Sequence, residues 1–400
     1  MHIRSIARLL TGAAPLIAAV LVAPVPAAAA DPGVTLSVSV PAAAATGDQV
    51  LATYTVTNQT DHIVTLKFHP VTPPMGPDDV AAYEHDRLPR FECPASGCAT
   101  GIAPGGSSTI LSYFGVAAPG TLEVGASVTV DGVDGEASAS ASTAVSGPAC
   151  TVRGTYGNDV LRGTDPAGGV LCGFFGSDHL VPGPGSDLFL ADRADQLDLD
   201  QSRAPGAGGG WDVDLAASPA TARNRTAGTT ATIHGGIWMV VGSAGPDRIS
   251  GTSGVNSLDG GAGDDRLDGR GGNDSLSGGR GDDVIIGGPG TDNVVYAQHT
   301  HPVQVFLSTN RPQQTGGAGV DTLSTTVENL TGTLYDDLLV GDEGANTIVG
   351  GLGDDRLVGR GGDDYLVGSK GADRYDGGTG TDVCKDKDPT KVRTSCERWD

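Results

Sequence analysis

The feature that most constrains this chain is a run of nine-residue repeats in its second half. From Gly242 the sequence reads GSAGPDRIS, GTSGVNSLD, GGAGDDRLD, GRGGNDSLS, GGRGDDVII and GGPGTDNVV without a gap. Six more repeats begin at Gly332: GTLYDDLLV, GDEGANTIV, GGLGDDRLV, GRGGDDYLV, GSKGADRYD and GGTGTDVCK. Position 1 is Gly in all twelve, position 4 is Gly in eleven, and position 6 is Asp or Asn in all twelve. A fixed short period of this kind predicts a solenoid of stacked coils.

Each nonapeptide has a glycine-rich half and a short apolar half. Glycines at positions 1, 2 and 4 allow a tight turn with positive φ. Positions 7 to 9 then predict a very short strand whose middle side chain points inward. Because two nonapeptides would complete one coil, repeats i and i+2 are expected on the same edge of the solenoid. The middle side chains are expected to stack as one apolar ladder of Ile249, Leu258, Leu267, Leu276, Ile285 and Val294.

The position-6 side chains would give both edges an unusual charge. In the array from Gly242 they form two rows, Asp247/Asp265/Asp283 and Asn256/Asp274/Asp292. Like charges stacked at strand spacing, about 5 Å, repel each other. The whole chain has 25 Lys+Arg against 48 Asp+Glu, a formal net charge of −23, which excludes a nucleic-acid binder that works by phosphate neutralisation. Divalent cations would cancel the repulsion, and calcium suits flexible carboxylate and carbonyl loops better than magnesium does.

The pattern Gly-Gly-x-Gly-x-Asp-x-(apolar)-x resembles the RTX (repeats-in-toxin, hemolysin-type) calcium-binding nonapeptide family. The resemblance implies a parallel β-roll with Ca2+ between successive turns, bound by position-6 aspartates and loop carbonyls. Carried onto this sequence, it implies metal ligands at Asp265, Asp274, Asp283, Asp292, Asp355, Asp364, Asp373 and Asp382. Asp247 and Asp337 match less fully, and Asn256 and Asn346 bring no charge, so their sites are expected to be weaker. We expect up to four sites in each of these two arrays.

A more degraded array precedes the other two. It opens with GTYGNDVLR at Gly154 and ends with GFFGSDHLV and PGPGSDLFL. Asp159 and Asp178 are predicted to form a same-edge metal pair, whereas Asp187 would need a partner where Gly169 stands. Segments between the arrays resemble the longer linking coils of the same family. The second half of the chain is therefore divided into arrays at 149–190, 242–295 and 332–385, linking coils at 191–241 and 296–331, and a cap at 386–400.

The first 148 residues have a different character. Arg4 and Arg8, the apolar stretch from Leu9 to Val22 and the small residues Ala28-Ala29-Ala30 predict a cleaved Sec-type signal peptide over 1–30. The alternative, a membrane anchor, is less favoured because the apolar run is shorter than a bilayer span. Residues 31–148 alternate apolar and polar side chains, which predicts a β-sandwich. Its order of parts loosely resembles Ig-like domains of bacterial surface proteins, and 137–148 is interpreted as a linker. The fold class is thus all-β: an Ig-like sandwich followed by β-roll arrays.

Six cysteines agree with an exported chain. They fall as three neighbouring pairs, which we hypothesise to be disulfides: Cys93 with Cys98, Cys150 with Cys172, and Cys384 with Cys396. Zinc-type spacing is absent. The pair His299 and His301 could bind a transition metal, but a solvated loop is the favoured interpretation.

The sequence contains no HExxH and no G-x-S-x-G motif. Paired acids such as Asp264-Asp265 recur along the arrays, whereas a catalytic pair normally occurs once. The favoured hypothesis is a secreted, extracellular bacterial protein that binds calcium ions, is not an enzyme, and has a structural or adhesive role, with a possible cell-wall or glycan ligand at its first domain. The alternative is a calcium-stabilised accessory enzyme or carbohydrate-binding protein whose active part lies in residues 31–148 or in the linking coils.

Overall fold

The computed structural model describes residues 34–45, 49–59, 64–71, 98–102, 104–105, 107–115, 120–130, 136–155, 157–174, 176–191, 194–200, 209–386, 392–394 and 396–399. Over these ranges the chain forms strands, turns and loops, which confirms the all-β prediction. No helix long and apolar enough to cross a membrane occurs in them. The chain separates into two compact units, residues 1–148 and 149–400. The signal peptide predicted for 1–30 lies outside the described ranges.

The described residues of the first unit form eight strands in two sheets. The strands are β1 (Val34–Ser39), β2 (Ala43–Ala45), β3 (Gln49–Asn58), β4 (Val64–Val71), β5 (Cys98–Ile102), β6 (Ser107–Gly115), β7 (Gly120–Val130) and β8 (Glu136–Ser146). One sheet has the order β1-β3-β6 and the other β2-β8-β7-β4-β5. Val34, Leu36 and Val38 of β1 are buried, as their alternation with polar residues predicts.

One prediction about this unit is wrong. Residues 137–148 have the small, polar composition of a linker, yet Glu136–Ser146 forms strand β8 and pairs along its length with β7. Backbone hydrogen bonds with a neighbouring strand hold this segment, so small side chains do not prevent strand formation there. The Ig-like assignment of the unit stays a prediction.

The second unit consists of short strands. They are β9 (Val152–Arg153), β10 (Val160–Arg162), β11 (Val170–Cys172), β12 (His179–Val181), β13 (Leu188–Leu190), β14 (Gln196–Asp198), β15 (Trp211–Asp214), β16 (Ala220–Asn224), β17 (Thr230–His234), β18 (Met239–Val241), β19 (Arg248–Ser250), β20 (Ser257–Asp259), β21 (Arg266–Asp268), β22 (Ser275–Ser277), β23 (Val284–Ile286), β24 (Asn293–Val295), β25 (Gln304–Phe306), β26 (Gln313–Gln314), β27 (Val320–Leu323), β28 (Asn329–Thr331), β29 (Leu338–Val340), β30 (Thr347–Leu352), β31 (Arg356–Gly361), β32 (Tyr365–Lys370), β33 (Arg374–Thr379), β34 (Val383–Asp386), β35 (Val392–Thr394) and β36 (Arg398–Trp399).

Successive coils of this unit stack as a parallel β-roll, as predicted. One face is a 12-stranded sheet, β10-β12-β14-β18-β20-β22-β24-β28-β30-β32-β34-β36. The other face is divided into an 11-stranded sheet, β26-β27-β23-β21-β19-β15-β16-β17-β13-β11-β9, and a five-stranded sheet, β25-β29-β31-β33-β35. Within the arrays the register advances by one coil of two nonapeptides, as in Ile249 opposite Leu267 and Leu258 opposite Leu276.

The core lies between the two faces. The apolar position-8 residues form two ladders, one on each face, rather than the single ladder that we expected. Ile249, Leu267 and Ile285 line one side, and Leu258, Leu276 and Val294 line the other; each is at most 1% exposed. Two ladders arise because odd and even repeats lie on opposite sheets, so their inward side chains meet across the core.

The segments between the arrays continue the same roll. Strand β14 pairs with β12 and β18, and β28 pairs with β24 and β30, so the 12-stranded sheet runs through both linking segments. The residues after the last array also continue it, because β35 pairs with β33 and β36 pairs with β34. The predicted C-terminal cap therefore includes strands of one more coil.

Two of the hypothesised disulfides are confirmed. Cys150 is bonded to Cys172, and Cys384 to Cys396. Both bridges are local in sequence and both belong to the second unit. The third hypothesised bridge involves Cys93, which lies outside the described residues.

The ladders predict a large effect of a core truncation. Leu276→Ala removes a fully buried side chain between two stacked neighbours, and such changes lower the free energy of unfolding by about 2 to 5 kcal/mol. The adjacent Ser275→Ala serves as the matched control, because Ser275 is only partly buried. Thermal unfolding in excess calcium measures both variants. Equal midpoints for the two would contradict the assignment of Leu276 to the core.

Candidate metal centre

The position-6 side chains lie buried in rows along the loop edges of the roll. Those at most 3% exposed are Asp178, Asp187, Asp247, Asn256, Asp265, Asp274, Asp283, Asp292, Asp337, Asn346, Asp355, Asp364, Asp373 and Asp382. Asp159 is the only predicted position that is partly exposed. Charged side chains are rarely buried to this degree without a compensating partner. The hydrogen-bond partners of each carboxylate oxygen therefore decide whether its buried charge is compensated.

One oxygen of each carboxylate is bound by the coil before it. The backbone N–H of Asp247 donates to Oδ1 of Asp265 at 2.6 Å, and that of Asp265 donates to Oδ1 of Asp283 at 2.8 Å. On the opposite edge, the N–H of Asn256 donates to Oδ1 of Asp274 at 2.7 Å. These contacts confirm that residues one coil apart face each other, and they fix each carboxylate in place.

The second oxygen has a different environment. In seven aspartates Oδ2 is buried and has no hydrogen-bond partner within the described ranges: Asp265, Asp274, Asp283, Asp292, Asp355, Asp364 and Asp382. A buried carboxylate oxygen without a partner is strongly unfavourable. A bound cation would compensate these oxygens.

The glycine at position 1 makes room for this oxygen. A Cβ added at Gly278 would overlap Oδ2 of Asp283, so any side chain there would displace the carboxylate. At position 4, Gly281 has φ of 137° and passes so close to the carbonyl of Gly263 that a Cβ would collide with it. Glycines at fixed positions of each repeat thus keep the carboxylate and the loop carbonyls close together.

Burial raises the pKa of these carboxyl groups. The pKa of Asp265 is raised to about 8, chiefly by desolvation and further by the carboxylates of Asp247 and Asp283. The pKa values of Asp283, Asp355 and Asp364 are raised to about 7 and that of Asp274 to about 6, with desolvation the largest cause in each. Ionisation of these carboxyl groups is thus less favourable in the fold than in water, and a nearby positive charge would offset this cost.

The rows contain acids that the repeat pattern did not reveal. The N–H of Asp178 donates to Oδ1 of Asp195 at 3.0 Å, and that of Asp283 to Oδ1 of Asp321 at 3.1 Å. The N–H groups of Asp292 and Asp382 donate to Oε2 of Glu328 at 2.8 Å and of Glu397 at 2.7 Å. These four acids occupy the end of a row and lie outside any complete nonapeptide. They stand 17, 38, 36 and 15 residues after the aspartates that they face, not the 18 residues of the repeats, so the repeat period does not reveal them.

In the first array the predicted pair of acids forms, and the third predicted ligand faces a glycine. The N–H of Asp159 donates to Oδ1 of Asp178 at 2.9 Å, as the same-edge prediction requires. Oδ1 of Asp187 accepts the N–H of Gly169 at 2.8 Å, so glycine stands opposite it, as the sequence indicates.

The paired acids at positions 5 and 6 have separate structural roles. Position-5 carboxylates are exposed and accept N–H groups from the next coil, as Asp264 does from Asp282 at 3.0 Å and Asp354 from Ala372 at 2.7 Å. Position-6 carboxylates are buried and accept from the coil before. Recurrence of the pair is thus explained by stacking of coils.

The prediction that His299 and His301 lie in a solvated loop is wrong for His299. His299 is 7% exposed and lies against Tyr296, with ring centroids 5.5 Å apart, whereas His301 is exposed. The backbone turn from Tyr296, whose carbonyl accepts the N–H of His299, brings this ring inward. Burial lowers the pKa of His299.

The donor set fits calcium. Among the described residues, no group of three or more His, Cys, Asp or Glu side chains gathers into a metal site. A Cβ on Gly260 would overlap both Oδ2 of Asp265 and the carbonyl oxygen of Gly278, so carboxylate and loop carbonyl oxygens lie beside the same glycine, and such all-oxygen surroundings suit Ca2+. Nitrogen and sulfur ligands of transition metals are not part of the rows.

Fold and site together define a parallel β-roll of nonapeptide repeats with stacked acidic rows. The family described as RTX calcium-binding nonapeptide repeat (4 copies) matches residues 241–276, 268–297, 324–357, 331–366 and 349–384. The second and third arrays of this chain thus match the repeats of a calcium-binding family.

Similarity to other known proteins gives no further indication of fold or function. No curated protein matches this chain. A solved structure, the cupredoxin domain of amoB from Nitrosocaldus yellowstonii, is similar with 13% identity and a TM-score of 0.21, over 30% of this chain and 90% of that one. A TM-score this low supports no conclusion about fold or function.

Proposed function

We propose that this is a secreted, extracellular bacterial protein with no enzymatic activity, whose β-roll is stabilised by Ca2+ and serves a structural or adhesive role. The observation that carries the proposal is the row of buried carboxylate oxygens without hydrogen-bond partners. The disulfides support an extracellular location, because such bonds form in oxidising compartments. Stacking of coils that contact only their neighbours supports a role as a spacer or adhesive element.

Asp265, Asp274, Asp283, Asp292, Asp355, Asp364, Asp373 and Asp382 would hold the ions, with loop carbonyls completing the ligands. Bound calcium supplies positive charge that neutralises carboxylates on successive coils. The residues of the chain contribute the rest: backbone N–H groups orient each carboxylate, and glycines allow the loops to approach. A cell-wall or glycan ligand for the first unit is a further part of the proposal, and binding assays with that class of polymer test it.

Isothermal titration of the metal-free, full-length protein tests calcium binding. We expect several ions per chain with dissociation constants of about 10⁻⁴ to 10⁻³ M, the range of extracellular calcium modules. Magnesium, the matched control, is expected to bind much more weakly, since it requires a smaller and more regular set of ligands. No heat of binding with calcium, or equal binding of the two metals, would contradict the proposal.

A further inference from the structure

The position-6 residues fall into two structural classes, which the repeat pattern does not distinguish. In four rows of the second and third arrays, the first member has both polar atoms of its side chain hydrogen-bonded within the protein. These first members are Asp247, Asn256, Asp337 and Asn346, and we call them closed rungs. The seven aspartates whose Oδ2 is buried without a hydrogen-bond partner are the open rungs: Asp265, Asp274, Asp283, Asp292, Asp355, Asp364 and Asp382.

A closed rung is bonded by the residue four positions earlier, at position 2 of its own repeat. The N–H of Ser243 donates to Oδ2 of Asp247 at 2.6 Å, and the N–H of Thr333 donates to Oδ2 of Asp337 at 2.5 Å. The hydroxyl groups of Ser243 and Thr333 donate to the same carboxylates at 3.1 and 3.0 Å. The carboxylate oxygen that has no partner in an open rung therefore accepts a backbone N–H in a closed one.

The two asparagines have the same arrangement. Oδ1 of Asn256 accepts the N–H of Thr252 at 2.7 Å, and Oδ1 of Asn346 accepts the N–H of Asp342 at 2.9 Å. Their amide groups donate to carbonyls of the preceding coil, as in Asn346 Nδ2 to Glu328 O at 2.8 Å. An uncharged side chain fits here because its oxygen is bonded by the protein and needs no cation.

In an open rung the position-2 residue has the opposite backbone conformation. Gly261, Gly279, Gly351 and Gly378 have φ between 92° and 114°. Arg270 and Arg360 also adopt positive φ, at 67° and 83°, although this conformation is unfavourable for a residue with a side chain. The N–H of Gly261 and that of Arg270 then donate to Asp259 and Asp268 rather than to the position-6 oxygen.

We propose that the closed rungs Asp247, Asn256, Asp337 and Asn346 are not calcium ligands, because the position-2 N–H takes the place of the ion, and that calcium is held only by the rungs after them in each row. This inference rests on the proposed function. Each array then begins with a coil whose polar groups are satisfied without metal, and later coils need the ion.

Matched substitutions one coil apart test this in the full-length protein. Asp247→Asn is expected to leave the number of bound calcium ions unchanged, whereas Asp265→Asn is expected to lose one. In Asp247→Asn the new amide group faces the N–H of Trp211 or of Ser243, so the ion count of this variant is compared only once its fold is shown to be retained. Asp337→Asn and Asp355→Asn repeat the comparison in the third array. Stoichiometry comes from isothermal titration with CaCl2, and circular dichroism in excess calcium checks the fold of each variant.

The converse variant adds a charge to a closed rung. Asn256→Asp is expected to gain no ion, because the Thr252 N–H still bonds the position-6 oxygen. Loss of an ion in Asp247→Asn or Asp337→Asn, or gain of one in Asn256→Asp, would overturn the inference. A wild-type protein that binds no calcium would instead refute the proposed function, so the two failures are distinguishable.

Discussion

Removal of calcium from the full-length protein is expected to abolish most of the β-sheet signal of residues 149–400. Among the described residues, seven buried carboxylates lack a hydrogen-bond partner for one oxygen, and burial raises the pKa values of several to about 6 to 8. At about 10 mM calcium, sites with dissociation constants of about 10⁻⁴ to 10⁻³ M would each add roughly 1.4 to 2.7 kcal/mol by mass action. One such site at each of the seven oxygens would supply roughly 10 to 20 kcal/mol, comparable to the whole stability of a typical domain.

Far-UV circular dichroism of the protein in chelator and in excess calcium makes this measurement. Magnesium at the same ionic strength is the control for screening of the net charge of −23. The variant Asp274→Ala/Asp364→Ala, which removes one open rung from each array, is expected to need more calcium for the same signal. A spectrum that is identical in chelator and in calcium would refute calcium-dependent folding.

Acidification of the calcium-free protein is expected to restore part of the fold. The pKa of Asp265 in the fold is about 8 and that of Asp283 about 7, against 3.8 for an ordinary aspartate. A carboxyl group whose pKa is raised by folding stabilises the fold fully below its unfolded pKa, and this contribution is lost as pH rises through the folded pKa. The calcium-free roll should therefore be more stable at about pH 4.5 than at about pH 7.5.

The double variant Asp265→Asn/Asp283→Asn provides the matched test. Asparagine keeps the shape and cannot ionise, so the calcium-free variant should be more stable than wild type at neutral pH and less dependent on pH. It should also respond less to calcium. Chemical denaturation at several pH values, without metal, measures both proteins. Stability of the wild-type calcium-free fold that increases between about pH 4.5 and 7.5 would contradict the pKa shifts.

The repeat itself predicts much of the second unit. Its period of nine residues places Asp247, Asp265 and Asp283 on one edge, and the structure connects them by N–H to Oδ1 hydrogen bonds. The apolar residue at position 8 predicts the core, and the structure confirms it, because each side chain in this position of the second array is buried. These features depend on spacing along the chain, which is visible without a structure.

The continuity of the roll was not predictable in the same way. Strands β14 and β28 join the 12-stranded sheet although their segments have no nine-residue pattern. Backbone groups form these pairings, so the side-chain sequence gives little indication of them. For the same reason Asp321 and Glu328 complete two rows without belonging to a repeat.

The sequence by itself determined the coil, its apolar interior and the acidic residues of each row. Only the tertiary structure decided which of these acids has an oxygen free for a cation. Ser243 and Ser369 both occupy position 2, yet Ser243 bonds its carboxylate through its N–H, whereas Ser369 adopts φ of 79°. Ser369 pairs with Gly351 of the preceding coil, whose φ is 114°, and Ser243 is the first residue of its row. Position 2 is a serine in both repeats, so the backbone conformation of a loop differs between the first coil of a row and the later ones, and residue type alone does not specify it.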